Sequence, residues 1–233
     1  MNTTRASTSL RRAVGDNALA LFFGMLFVAA LIGQALTGVA LYNNTQIESG
    51  LEQVSTLQYV TSSAFAVDVT ENWQSEYLQF FLYIYITVWL LQKGSPESKN
   101  LGRSGTESDE DQRVGAHAAE DSPGPAKTGG WRLALYSRSL GLVMGTIFML
   151  SWLAQSIAGV SEYNERQLQN LSEPLSWWGY ISSADFWNRT LQNWQSEFLA
   201  VASMVVLSIY LRQRGSPESK PVGSSHTSTG VEG

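Results

Sequence analysis

Residues 18–42 read ALALFFGMLFVAALIGQALTGVALY, an apolar stretch broken only by Gln34 and Thr37 among apolar and small residues. At about 1.5 Å of helical rise per residue, roughly 20 such residues cross a hydrocarbon core of about 30 Å. Residues 140–160 have the same character. Cleavage of the first stretch as a signal peptide is disfavoured, because its apolar region exceeds the usual length of about 7–15 residues. Both stretches therefore predict membrane-spanning helices.

Two further apolar stretches, 77–91 and 198–211, are shorter. Each reaches a spanning length only if its helix begins earlier, near Asn72 and Asn193. The sequence therefore predicts an all-α membrane protein with four transmembrane helices. Their expected bounds are about 18–42, 72–92, 139–161 and 193–213.

Two polar words occur twice in the chain. Asn-Trp-Gln-Ser-Glu stands at 72–76 and 193–197, and Gly-Ser-Pro-Glu-Ser-Lys stands at 94–99 and 215–220. One constant offset of 121 residues relates both pairs, and the same offset takes Gln34 to Gln155. The chain is therefore predicted to be a tandem repeat of a two-helix unit.

The repeat also sets the expected domain organisation. The segments outside it are rich in Gly, Ser and charged residues, and they bury too little apolar surface to become ordered. Aromatic residues around small polar ones predict a short interfacial helix in each outer loop. The predicted order is an N-terminal segment 1–17, a first unit 18–99 with outer loop 43–71, a flexible acidic linker 100–130, a second unit 131–220 with outer loop 162–192, and a disordered tail 221–233.

The distribution of lysine and arginine along the chain predicts its orientation in the membrane. Of 15 such residues, only Arg166 and Arg189 lie in the two outer loops. The positive-inside rule then places both termini and the linker in the cytoplasm. Because each unit has two helices, both units enter the membrane with the same orientation. This predicts parallel repeats in a pseudo-two-fold bundle.

The candidate functional cluster is polar. Glu76 lies inside a predicted span, about 6 Å from its outer end. Ionisable groups within the membrane often mark ion or proton pathways. Asn72 and Trp73 share its helical face, while Gln34 lies on a stripe of small residues that favours close helix contact. A belt at the membrane interface and a packing seam are the alternatives. With the second-half equivalents, the cluster is Gln34, Asn72, Trp73, Glu76, Gln155, Asn193, Trp194 and Glu197.

The second repeated word predicts a helix end on the cytoplasmic side. Gly94 suits a left-handed C-cap, and Pro96 prevents the helix from resuming. Lys99 can meet lipid phosphates and the negative helix end. A regulatory Ser-Pro site is the alternative. The equivalent residues are Gly215, Pro217 and Lys220.

Several kinds of chemistry have no sequence signal. The chain has no cysteine, which excludes disulfides, thiolate metal sites and cysteine nucleophiles. We find no phosphate-binding glycine loop, metal-ligand cluster or nucleic-acid-binding patch. We therefore expect no catalytic residue, no metal, no cofactor and no nucleic-acid partner. The expected partners are the lipid bilayer and further copies of the chain.

The combination of Gln34, Tyr42-Asn43 and the two repeated words resembles a bacterial membrane-protein family catalogued as a domain of unknown function. Its members look like the whole chain, with two such units and a variable linker. The resemblance implies a location in the bacterial inner membrane and implies no activity.

Three hypotheses on function follow. The leading one is a non-enzymatic structural or interaction protein of the bacterial cytoplasmic membrane. The first alternative is a small transporter or proton- or ion-conducting protein that uses Glu76 and Glu197. The second is a membrane-surface enzyme that acts through outer-loop residues such as Ser62 and Ser183.

Overall fold

The computed structural model describes Arg12 and residues 14–231, so most of the predicted N-terminal segment 1–17 lies outside it. Across the described residues the chain is all-α, as predicted, with no strand. Two 3-10 turns, Gly115–His117 and Gly124–Lys127, lie in the linker. The helices are α1 (Ala18–Glu48), α2 (Thr56–Val60), α3 (Ser63–Ile86), α4 (Gly130–Tyr136), α5 (Ser139–Gln169), α6 (Trp177–Ile181) and α7 (Ala184–Tyr210).

Two of these helices, α1 and α5, are long and apolar enough to cross a membrane. Each has 31 residues. The helices α3 and α7 do not meet the same criterion within the described part of the chain. Their N-terminal turns carry charged residues such as Asp68, Glu71 and Arg189, which lower the average hydropathy of the helix.

The second long helix of each half begins earlier than predicted. Helices α3 and α7 start at Ser63 and Ala184 rather than near Asn72 and Asn193. The reason is local, because the side chains of Ser62 and Ser183 accept the backbone N–H groups of Phe65 and Phe186, each at 3.3 Å. Serine at this N-cap position stabilises a helix start.

The other bounds shift as well. Helices α1 and α5 continue to Glu48 and Gln169, beyond the predicted ends at about 42 and 161. Helices α3 and α7 end at Ile86 and Tyr210, before the predicted 92 and 213. Glu76 therefore lies 13 residues into α3, about 20 Å from its first turn. The first repeated word is thus inside a helix and not at its end.

The helices of the two halves meet mainly through α3 and α5, which pack along each other. Gly145 of α5 permits this approach, since a Cβ atom there would lie 3.1 Å from the Phe81 ring of α3. Helix α3 also contacts α7. Helix α1 packs chiefly on α2, and most of its apolar side chains are exposed. The contact between the halves is therefore more extensive than the contact within either half.

Each outer loop is tied to its first helix by one asparagine. The Asn43 side chain donates to the Val54 carbonyl at 2.9 Å and accepts from the Val54 N–H at 2.8 Å. Asn164 forms the same two bonds with Leu175. The short helices α2 and α6 follow directly, and this explains why Tyr-Asn recurs at the ends of both predicted spans.

The second repeated word forms the same turn after α3 and α7. Gly94 and Gly215 are left-handed, with φ of +87° and +78°. Two residues before each glycine, a backbone N–H donates to a serine of the same word, Gln92 to Ser98 and Gln213 to Ser219, both at 2.9 Å. The words are therefore folded turns held by their own side chains.

The lysines of these turns bind backbone instead of projecting toward lipid phosphates. The Lys99 ammonium donates to the Gly105 carbonyl and pairs with Glu107 at 3.1 Å. Lys220 is only 1% exposed. Its Nζ donates to four carbonyl oxygens, those of Gly94, Ser225, His226 and Ser228. The desolvation of this buried ammonium lowers the pKa of Lys220.

Residues 221–231 of the predicted disordered tail lie against the first copy of this word. The Gly94 N–H donates to Thr229 Oγ1 at 2.9 Å, and the Gly230 N–H donates to the Ser95 carbonyl at 3.0 Å. These hydrogen bonds connect the tail to the buried turn. Residues 232 and 233 lie outside the described part.

One close helix–loop contact is repeated and can be tested by adding a methyl group. A Cβ atom on Gly38 would lie 2.8 Å from Tyr59 Cζ, and one on Gly159 would lie 2.9 Å from Tyr180 Cζ. We expect Gly38→Ala to lower the free energy of unfolding by about 1–3 kcal/mol, because the methyl group overpacks this contact. Thermal unfolding of the purified protein in detergent, followed by circular dichroism, measures the effect.

Gly33→Ala is the matched control on the same helix, since its Cβ would have no neighbour within 4 Å. It should be neutral or slightly stabilising, because alanine is favoured over glycine in a helix by about 0.5–1 kcal/mol. Equal melting temperatures for the two variants would contradict the packing described.

Candidate functional site

A cavity of about 650 Å³ opens between α1 and α3, and it brings together the predicted residues of the first half. Gln34 lies on the α1 wall, while Asn72, Trp73 and Glu76 lie on the α3 wall. Residues three and four apart share one face of a helix, which is why both walls follow from the sequence spacing. The other lining residues are apolar or aromatic: Phe27, Ala30, Leu31, Val69, Tyr77, Phe80 and Met144.

Gln34 on the α1 wall and Glu76 on the α3 wall do not bind each other. Glu76 is exposed and Gln34 is half-buried. Neither side chain makes a hydrogen bond or ion pair with a residue that the structure describes. Gln34 and Glu76 therefore line one cavity from opposite walls without meeting, and both groups are available to a third molecule.

Glu76 also faces its own repeat equivalent. Glu197 lies close enough, across the contact of α3 with α7, for the two carboxylates to repel each other. Within the described residues no cationic side chain pairs with either of them. The structure thus places the two predicted glutamates near enough for their charges to interact.

The second-half copy of the cluster has a different environment. Gln155 is completely buried, and both atoms of its amide lack a hydrogen-bond partner among the described residues. The Trp152 ring lies 5.7 Å from that of Phe148 and 5.9 Å from that of Trp194, measured between centroids. Trp152 stands where the first half has Leu31, so an aromatic ring occupies the position that borders the cavity in the first half.

The remaining residues of the first repeated word have structural roles. Asn72 and Asn193 donate to the backbone carbonyls four residues earlier, of Asp68 and Arg189. Gln74 is completely buried, and its carbonyl oxygen accepts the Trp194 indole N–H at 2.7 Å. The two copies of the word therefore bind each other across the α3–α7 contact. The packing interpretation accounts for these residues, but not for Glu76.

A cluster of charges that the sequence patterns did not predict lies where the long helices meet the loops 43–71 and 162–192. Arg189 of α7 donates to Glu71 at 2.8 Å, to Asp68 at 3.1 Å and to Glu162 at 3.4 Å. Its partners lie on α3 and α5, so one guanidinium connects three helices. Arg166 adds ion pairs with Glu162 at 2.8 Å and Asp185 at 3.6 Å.

This cluster has more acidic than basic groups, and burial shifts the pKa values of its members. Burial raises the pKa of Asp68, Glu71 and Glu162, against the lowering effect of the nearby arginines. Burial acts to lower the pKa of Arg189, but its hydrogen bond to Glu71 and the surrounding carboxylates raise it overall. Arg189 therefore stays charged and neutralises only part of the acidic charge.

One sequence signal could have revealed the cluster. Arg189 is the repeat equivalent of Asp68, so the same position carries opposite charges in the two halves. Opposite charges at equivalent positions would face each other if the second helices of the two units meet, as α3 and α7 do. In the sequence, Arg189 contributes only to the prediction of which side of the membrane each loop faces.

The chain belongs to the family described as domain of unknown function DUF6766, whose model matches residues 10–231. The match covers both halves, the linker and the tail, in agreement with the resemblance noted from the repeated words. No curated protein and no solved structure matches the chain. The family assignment is therefore established, and it carries no activity.

Replacing Arg189 tests the charge cluster. We expect Arg189→Gln to lower stability by roughly 2–3 kcal/mol at pH 8, less than the roughly 3–5 kcal/mol of a fully buried pair, because the side chain is 23% exposed. The loss should shrink at pH 5. Carboxyl groups with a raised pKa in the folded state stabilise it at low pH, and that contribution is lost as pH rises through the raised pKa values. Thermal unfolding at both pH values measures the effect.

Arg166→Gln is the matched control from the same cluster. Its side chain is 46% exposed, so the cost should stay below about 1 kcal/mol and vary less with pH. A larger loss for Arg166→Gln than for Arg189→Gln would show that Arg189 is not the connecting residue.

Proposed function

We propose that the chain is a non-enzymatic, four-span protein of the bacterial cytoplasmic membrane that takes up a cation at Glu76 and Glu197 and passes it across the membrane. Both termini and the linker 100–130 lie on the cytoplasmic side in this proposal. The two units are parallel repeats related by a pseudo-two-fold axis. Further copies of the chain associate with it in the bilayer.

The lengths of the helices support four spans. Helices α3 and α7 have 24 and 27 residues, about 36 and 40 Å, which exceeds the hydrocarbon core of about 30 Å. Their outer turns carry the Arg189 cluster and project beyond the bilayer. In this proposal the membrane-embedded parts of the two helices are residues 72–86 and 193–210, so Glu76 and Glu197 lie inside the membrane near its outer boundary.

The observation that carries the proposal is the pair of glutamates. Glu76 borders an open cavity and lies in the field of Glu197, and no cationic side chain of the described residues pairs with either. Two neighbouring carboxylates repel each other, and a cation held near them relieves that repulsion. A proton or another cation resolves this, which favours cation uptake over a purely structural role.

Two observations bear on the alternatives. The bond between Gln74 and Trp194 supports a packing role for part of the repeated word, and that role is compatible with cation uptake. The outer-loop serines that a surface enzyme would use are engaged in helix capping. Ser62 also donates to the Tyr59 carbonyl at 2.6 Å. This engagement supports the non-enzymatic proposal.

Cation flux tests the role of the two glutamates. We expect liposomes that contain the purified protein to pass protons or small cations down a gradient, measured with an internal pH- or ion-sensitive dye. Glu76→Gln/Glu197→Gln should abolish the flux without changing the circular dichroism spectrum. Glu52→Gln/Glu173→Gln is the matched control, because it removes an equivalent pair of acids from the outer loops. Flux that survives in the first double variant would overturn the proposal.

Single cysteines test the topology, since the natural chain has none. We expect Glu52→Cys and Glu173→Cys to react with a membrane-impermeant maleimide in intact bacterial cells. Ser108→Cys in the linker should react only after the membrane is permeabilised, because the linker is cytoplasmic. Labelling of Ser108→Cys in intact cells would contradict the proposed orientation.

A further inference from the structure

Only one of the two repeat-equivalent sites is open. In the first half Ala30 is exposed and Gln34 is half-buried, and both line the cavity. Their equivalents Ser151 and Gln155 are buried, at 6% and 0% exposure. The two halves therefore share the polar residues but differ in access to them.

One residue of the cavity wall also differs in size between the halves. Leu31 lines the cavity of the first half, whereas its equivalent Trp152 stacks among aromatic rings. Its partners Phe148 and Trp194 are the equivalents of Phe27 and Trp73, which line the open cavity. The indole thus fills the space beside these two rings. In the first half Phe27 and Trp73 contact each other, with ring centroids 6.3 Å apart, and Leu31 leaves that space open.

The open cavity has a distinct chemistry. Aromatic rings of Phe27, Trp73 and Phe80 line it, and Glu76 is the only charged side chain among its lining residues. A cation over an aromatic face is attracted by the ring quadrupole, more strongly when it is desolvated. A carboxylate beside such rings adds a full negative charge. Neither feature suits an anion or a purely apolar ligand.

The volume of the cavity further restricts the kind of ligand that fits it. About 650 Å³ falls within the range of about 300–1,000 Å³ that holds small organic molecules. A bare inorganic ion needs neither that volume nor the aromatic walls. We propose that this cavity binds one amphipathic organic amine or ammonium ion per chain, with its charge at Glu76 and its apolar part against Phe27, Trp73 and Phe80.

This inference deepens the proposed function, because it rests on the same Glu76 charge and adds the chemical class of the cation. It also assigns the site to the first half alone, since Trp152 closes the second. The amide of Gln34 and that of Asn72 remain on the cavity walls to accept hydrogen bonds from an amine.

Equilibrium dialysis of the full chain in detergent tests the inference. The probe is benzyltrimethylammonium, compared with tetramethylammonium, which has the charge alone, and benzyl alcohol, which has the ring alone. We expect benzyltrimethylammonium to saturate at one molecule per chain. Each of the other two should bind on the order of tenfold more weakly or worse.

Three variants locate the site. Leu31→Trp should abolish binding by placing in the first half the ring that closes the second, while Leu31→Met, a volume-conserving control, should bind like the natural chain. Glu76→Gln, which leaves the cavity open, should weaken binding of the cation on the order of tenfold or more and leave benzyl alcohol unaffected. Circular dichroism and gel filtration confirm that each variant is folded.

The outcomes separate this inference from the proposed function. Binding of benzyltrimethylammonium that survives both Leu31→Trp and Glu76→Gln overturns the site. Equal binding of tetramethylammonium overturns the aromatic part of the inference. Flux of small cations in liposomes with no benzyltrimethylammonium binding overturns the inference and leaves the proposed function standing. Saturable binding at one per chain without flux supports the inference and overturns cation conduction.

Discussion

The arrangement of the long helices depends on the ion pairs of the Arg189 guanidinium. It reaches Asp68 and Glu71 on α3 and Glu162 on α5, so it joins three helices at one end of the molecule. Burial of these carboxylates is costly, and a planar group with several donors can satisfy more than one of them at once. With the helix ends held there, α3 lies along α5, and the surfaces that carry Gln74, Glu76, Trp194 and Glu197 are brought together.

The repeated words have two kinds of role. The turn at residues 94–99 and 215–220 is held by a serine that accepts a backbone N–H and a lysine that donates to carbonyl oxygens. Such turns depend on particular side chains, which explains why the words are kept although the apolar segments before them have changed. In the first word, Asn and Ser bond to their own helix and Gln74 bonds to Trp194. Among the residues that the structure describes, Glu76 and Glu197 have no such structural partner, and this separates them from the rest of the word.

Sequence differences between the halves produce two features that identical halves would not have: a pair of opposite charges and a single open cavity. Asp68 and Arg189 occupy equivalent positions and bind each other. Leu31 and Trp152 occupy equivalent positions, yet one borders a cavity and the other lies among aromatic rings. If the halves were identical, two like charges would face each other at positions 68 and 189. With the same residue at positions 31 and 152, the chain would have two equal sites. The two-helix unit supplies the scaffold, and differences at a few positions supply the charge pairing and a single open site.

The sequence by itself determined the all-α class, the equivalence of the halves, the helical faces of Glu76 and Gln34, and the glycines that end α3 and α7. These properties depend on local periodicity and on residue types that act within a few positions. It did not determine where α3 and α7 begin, because the capping role of Ser62 and Ser183 depends on the backbone around them. Only the tertiary structure decided that α3 packs on α5, that Lys220 is buried, and that Trp152 closes one copy of a site that Leu31 leaves open. Those outcomes depend on contacts between residues far apart in the chain, such as Phe81 with Gly145 and Gly94 with Lys220. Side-chain shape across such contacts has no signature in the order of residues along one helix.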